Sequence, residues 1–169
     1  MKNFFRKVAF GIGPNDDVPS DPLKWAINQF DEIPELSWKG KIYTEKELRK
    51  HYRDWVYGDR EVLRDKYKDN KILYKTHKDI LRHKTGQKFW ESLEISIRHN
   101  EGLNSTHPVL AKLWMFWGNF FAISEKDFLA NYSTGPYHRE IIRPNLNQTF
   151  EKMVYDVTTS WAMIHHLDN

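Results

Sequence analysis

The 169-residue sequence contains no cysteine. Disulfides, thiolate metal sites and a cysteine nucleophile are thereby excluded. It also lacks any apolar run of the ~18–20 residues that a membrane-crossing helix needs. The apolar stretch behind the basic opening Met1–Lys7 breaks at Gly11-Ile12-Gly13-Pro14. A secretory leader needs roughly 7–15 unbroken apolar residues and a small-residue cleavage site, and neither is present. A cytoplasmic chain without a membrane span is therefore expected. No phosphate-binding loop, no Gly-x-Gly-x-x-Gly fingerprint and no Gly-x-Ser-x-Gly elbow occurs, and no segment alternates as a strand would.

What the chain does have is bulk. Leu, Ile, Val and Phe together number 42, and seven Trp and eight Tyr are added to them. This is enough to fold, and a domain of this size buries about two-thirds of its unfolded surface. The expected organisation is one all-α domain over residues 1–169, or the N-terminal fragment of a longer multi-helix protein, with a basic helical section over about 39–99. The net charge of +3 is unevenly spread. Residues 39–99 hold 17 Lys and Arg against 10 Asp and Glu, and the rest of the chain is acidic on balance.

Helical periodicity accounts for most of the apolar residues. Asp21 is placed to cap a helix that Pro22 opens, with Leu23, Ala26, Ile27 and Phe30 on one face. Thr44 and Glu47 form a capping box before a helical run from Leu48 to Tyr67, interrupted near Gly58. Further helices are expected over Ile72–Leu81 and from Phe89 to the Asn100-Glu101-Gly102 stop. The segment 108–121 is apolar on most sides and predicts a central, buried helix. Ser124–Pro136 reads as a loop, Tyr137–Arg143 as a short helix stopped by Pro144, and Phe150, Met153, Val154 and Val157 as a last stripe. The fold class is all-α: an irregular multi-helix domain with long loops.

Several local words stand out. Trp117-Gly118-Asn119-Phe120-Phe121 is followed by Tyr137-His138-Arg139-Glu140-Ile141-Ile142-Arg143-Pro144, then by Ala162-Met163 and Leu167-Asp168-Asn169. Phe10-Gly11-Ile12-Gly13-Pro14 and Asp21-Pro22-Leu23-Lys24-Trp25 precede them. In order and spacing these words resemble the N-terminal part of a large bacterial family without an assigned activity, domain of unknown function 1800. The resemblance implies a truncated, divergent copy, because family members are longer and this chain stops on the Leu-Asp-Asn word. It also implies lost histidines. Phe120, Asn145 and Ser160 stand where the family pattern has His, and imidazole is the group that binds a transition metal or moves a proton near neutral pH. A chain without catalysis of its own is the resulting expectation.

The candidate ligand-binding residues are Asn119, Arg139, Glu140, Arg143 and Asp168, of which Asn119, Glu140 and Arg143 offer an anion-binding or hydrolase-like site as an alternative to a chain without catalysis. Glu140 and Arg143, three apart, can pair across one helical turn. That pair is either an anion clamp or a structural ion pair at a loop-to-helix junction, and the second reading is preferred. Asn119, expected to be buried in the apolar helix, needs a partner such as Arg143. His165, His166 and Asp168 suggest metal ligands, but neighbouring helical residues diverge by about 100° and seldom share an ion. No metal and no cofactor are expected. The basic helices 39–88 interleave Tyr52, Trp55, Tyr67 and Tyr74, a composition suited to nucleic acid or an acidic partner. Helical spacing turns those rings toward the core instead, so nucleic-acid binding is not favoured. Exposed apolar faces over 108–121 and 150–167 would promote self-association.

Overall fold

The computed structural model describes residues 2–12, 17–124 and 127–168. The Gly13-Pro14 part of the first turn and Asn169 lie outside them. Among the described residues the fold is all-α, with no strand. In chain order the helices are α1 (Lys2–Val8), α2 (Pro22–Asn28), α3 (Glu45–Asp54), α4 (Arg60–Lys66) and α5 (Lys71–Lys84). They continue as α6 (Gln87–Asn104), α7 (Pro108–Phe120), α8 (Ala130–Pro136), α9 (Phe150–Thr158) and α10 (Trp161–His166). A π-helical turn, Trp55–Asp59, joins α3 to α4. A second, Tyr137–Ile142, follows α8 and passes into a 3-10 turn, Arg143–Asn145.

Local chemistry starts these helices where expected. Asp21 accepts a bond from Lys24 N at 3.0 Å and so caps α2. Thr44 and Glu47 close a reciprocal capping box on α3: Glu47 N donates to Thr44 Oγ1 and Thr44 N to Glu47 Oε2. Asn70 and Thr149 cap α5 and α9 in the same way. Each cap satisfies a backbone N–H that the first helical turn cannot.

The chain divides into two compact units. One comprises Met1–Gly40, Ile97–Ala122 and His138–Ser160. Ala9, Ala26 and Val109 pack there with Phe4, Val8 and Trp25. Gln29 Oε1 accepts from Val109 N at 2.9 Å, and Lys112 Nζ donates to the Arg6 and Ala9 carbonyls at the end of α1. The other comprises Lys41–Ser96, Ile123–Tyr137 and Trp161–Asn169. Its core is Leu48, Trp55, Trp90 and Tyr132, flanked by Tyr43, Tyr52, Val56, Leu81 and Leu93.

Four expectations need correction. Ser133-Thr134-Gly135-Pro136 is not a turn but the end of helix α8, whose Tyr132, Ser133, Gly135 and Pro136 are buried. The short helix ahead of Pro144 is a π-helical turn, Tyr137–Ile142, rather than an α-helix, and Pro144 sits in the 3-10 turn that follows it. In α2 only Ala26 is buried, and Leu23 and Ile27 face solvent. The helix over 108–121 is not covered on most sides: Val109, Leu110, Ala111, Trp114 and Gly118 are buried, while Phe116 and Phe120 are exposed.

Candidate functional site

A buried polar cluster lies in the first unit, at the end of α6. Trp90, Glu94, Ile97 and Glu101 recur at four, three and four residues and are all buried. Such spacing puts them on one stripe of a helix, so α6 carries carboxylates inward. Glu101 Oε2 accepts from Ser37 N at 2.9 Å and from Ser37 Oγ at 2.7 Å. Asn100 Nδ2 donates to the same hydroxyl at 3.2 Å. The other oxygen, Oε1, faces Arg143 Nη2 at 3.5 Å, with side-chain exposures of 3% and 12%. Arg143 Nη2 also donates to the Pro34 carbonyl at 2.5 Å, and its guanidinium lies 5.8 Å from the Trp114 ring centroid. Burial pulls the Arg143 pKa below its ordinary value, and the Glu101 carboxylate pulls the other way. The cluster therefore joins the 34–37 loop, α6 and the 3-10 turn through one ion pair and its hydrogen bonds.

Beside it the π-helical turn presents His138. Its backbone carbonyl accepts a 2.7 Å bond from Trp114 Nε1. Its imidazole is buried against Gly118, where a Cβ would come within 2.7 Å of Nδ1. Burial first, and the nearby Arg98 charge second, push the His138 pKa down to about 3. The ring is thus neutral at physiological pH. Arg139, almost wholly buried, meets Glu140 at 3.3 Å. Asn145 Nδ2 donates to the Ile141 carbonyl and to Asp156 Oδ2, both at 2.8 Å.

The expected Glu140–Arg143 pairing is replaced by two others, Arg139–Glu140 and Arg143–Glu101. A π-helical turn is wider than an α-helical one, so residues three apart no longer sit one above the other. Asn119, expected to be buried beside Arg143, is exposed on α7. Asp168 belongs to the second unit and takes a left-handed conformation, φ 60°, after α10. His165 Nε2 meets Asp127 Oδ2 at 3.0 Å, and His166 Nδ1 accepts from Ser124 N. Among the described residues no three His, Asp or Glu side chains converge as metal ligands. Glu101 was missed because Asn100 and Gly102 read as a helix end, although α6 continues to Asn104. The stripe with Trp90, Glu94 and Ile97 was the signal that could have found it.

The family model for a protein of unknown function (DUF1800) matches residues 4–169. The chain belongs to the DUF1800 family. No curated protein and no solved structure matches it. Three positions bear on the histidines that the family pattern implied. In this DUF1800 member Phe120 is exposed on α7, Asn145 is buried on Asp156, and Ser160 is buried with its hydroxyl on the Val157 carbonyl. Asn and Ser there serve as local hydrogen-bond partners. No helix among the described residues is long and apolar enough to cross a membrane.

Proposed function

We propose that this chain is a structural helical segment of the DUF1800 family, without catalysis of its own, and that Arg143 is a fold-holding tie rather than an anion clamp. One observation carries the reading: the Arg143 guanidinium is buried and already engaged by Glu101, the Pro34 carbonyl and the Trp114 ring. An anion clamp needs donors that point into open space. Removing one partner of a buried pair leaves the other charge uncompensated, at a cost of about 3–5 kcal/mol.

Arg143→Ala is therefore expected to lower the melting temperature by roughly 10 °C, since about 2–4 °C accompany each kcal/mol in a chain of this size. Adding inorganic phosphate or sulfate should shift neither protein's melt specifically. Stabilisation of the parent chain by phosphate, lost in Arg143→Ala, would contradict the reading and support an anion site. A second reading concerns association. The rings of Phe116, Trp117, Phe120, Phe121 and Phe150 stack in one cluster, with Phe116, Phe120 and Phe150 exposed. Such a surface favours contact with a second copy of the chain.

A further inference from the structure

The first unit has a groove that the Arg143 tie does not use. Val109, Lys112, Leu113 and Phe116 follow one another at three, one and three residues, so they share one face of α7. That face, the end of α1 at Lys7, and Phe30 beyond α2 line an open groove of about 320 Å³. Its lining is mostly apolar: Val109 is buried, Leu113 is half-buried, and Phe30 and Phe116 are exposed by 36% and 54%.

Both charged residues that line it are lysines. Lys112 Nζ donates to the Arg6 and Ala9 carbonyls at 2.6 Å each, which fixes its ammonium at the end of α1. An ammonium has three donors, so one N–H of Lys112 remains for a ligand. Lys7 is exposed, and among the described residues no carboxylate pairs with either ammonium. Neither α1 nor α7 contains an acidic residue.

The two features together select the occupant. Inorganic phosphate would leave the apolar lining in water, and a neutral hydrocarbon would leave the ammonium groups unused. A groove of this volume holds roughly ten non-hydrogen atoms at the ~30 Å³ that a water molecule takes in the liquid, so a straight-chain monocarboxylate of about eight carbons fills it. We propose that this groove binds a medium-chain fatty acid anion, its carboxylate on Lys7 and Lys112 and its chain along Leu113, Phe30 and Phe116. The site is independent of the structural role given to Arg143.

The test is isothermal titration of the whole chain with butanoate, hexanoate and octanoate, each below its micelle-forming concentration. Octanoate is expected to bind once per chain with a Kd of roughly 0.1–1 mM, in keeping with so few atoms. Affinity should rise about two- to fourfold with each added methylene. Octylammonium, with the same tail and the opposite charge, should not bind. Lys7→Glu should weaken octanoate by about fivefold or more, whereas Lys7→Arg should keep it. Phe30→Ser should weaken it as well while leaving both cations in place. Circular dichroism melts check that the variants keep the parent fold. Absence of octanoate binding overturns the proposal, as does equal binding of octylammonium or indifference to chain length. Parent affinity in Lys7→Glu or in Phe30→Ser overturns it too.

Discussion

His138 is buried to 5% exposure and kept neutral by its surroundings. Its folded pKa of about 3 lies below the ordinary 6.5, so the unfolded chain binds a proton there more readily than the folded one. The stabilisation is complete above pH 6.5 and is lost as pH falls from 6.5 toward 3. Between pH 7 and pH 5 this one group should cost about 2 kcal/mol of stability. Denaturant midpoints at those two pH values measure it, and His138→Asn should remove that part of the slope. His51, also lowered by burial, acts in the same direction but remains in the variant. Glu47, lowered to about 2, titrates below the window. An unchanged slope in His138→Asn would show that another group carries the acid sensitivity. Chemistry at this level was partly legible. His138, Arg139 and Arg143 were visible as a cluster of polar residues within six positions, yet the partner of Arg143 was not. Glu101 accepts from Ser37, 64 residues earlier in the chain, and periodicity on one helix says nothing about such a neighbour.

Helix starts are the most legible elements because they are decided within four residues. Asp21, and Thr44 with Glu47, each cap a helix through a bond to a backbone N–H three positions on. Helix α8 was not legible for the opposite reason. Ser, Thr, Gly and Pro in succession are turn residues by local preference, but α8 packs against α3 and α10, and burial of that segment overrides the preference. Gly135 is the residue on which the close approach depends. A Cβ there would fall 2.1 Å from Glu94 Cγ and 2.2 Å from Cδ, so α8 passes α6 with no room for a methyl group. Gly135→Ala should destabilise the chain by about 1–3 kcal/mol through overpacking. The cost should shrink in a Glu94→Ala background, where the obstructing atoms are gone. Equal costs in the two backgrounds, read from a double-mutant cycle, would show that the strain lies in the backbone instead.

At the scale of the whole molecule, composition announced a folded chain and periodicity an all-α one, but not which apolar surfaces stay uncovered. Periodicity reports that a helix has an apolar face; whether another element covers it depends on partners distant in sequence. Phe116, Phe120 and Phe150 illustrate this. Each belongs to a correctly read helical stripe, and each is more than half exposed. Their rings stack with Trp117 and Phe121 instead of entering a core: Phe116 on Phe120 at 6.3 Å, Trp117 on Phe121 at 5.6 Å and on Phe150 at 5.5 Å. Aromatic pairs at these distances hold one another in place, so the cluster is a pre-ordered apolar surface. Covering the exposed half of each ring removes about 1 kcal/mol of unfavourable contact with water, roughly half the value for burying a whole side chain. Association through a second copy is the way the isolated chain can gain this. Sedimentation velocity over a range of protein concentrations should show the chain self-associating, with a coefficient that rises with concentration. Phe116→Ser/Phe120→Ser should weaken that association by at least about tenfold, because two rings no longer seek cover. A parent chain that stays monomeric throughout would mean that stacking alone keeps these rings soluble.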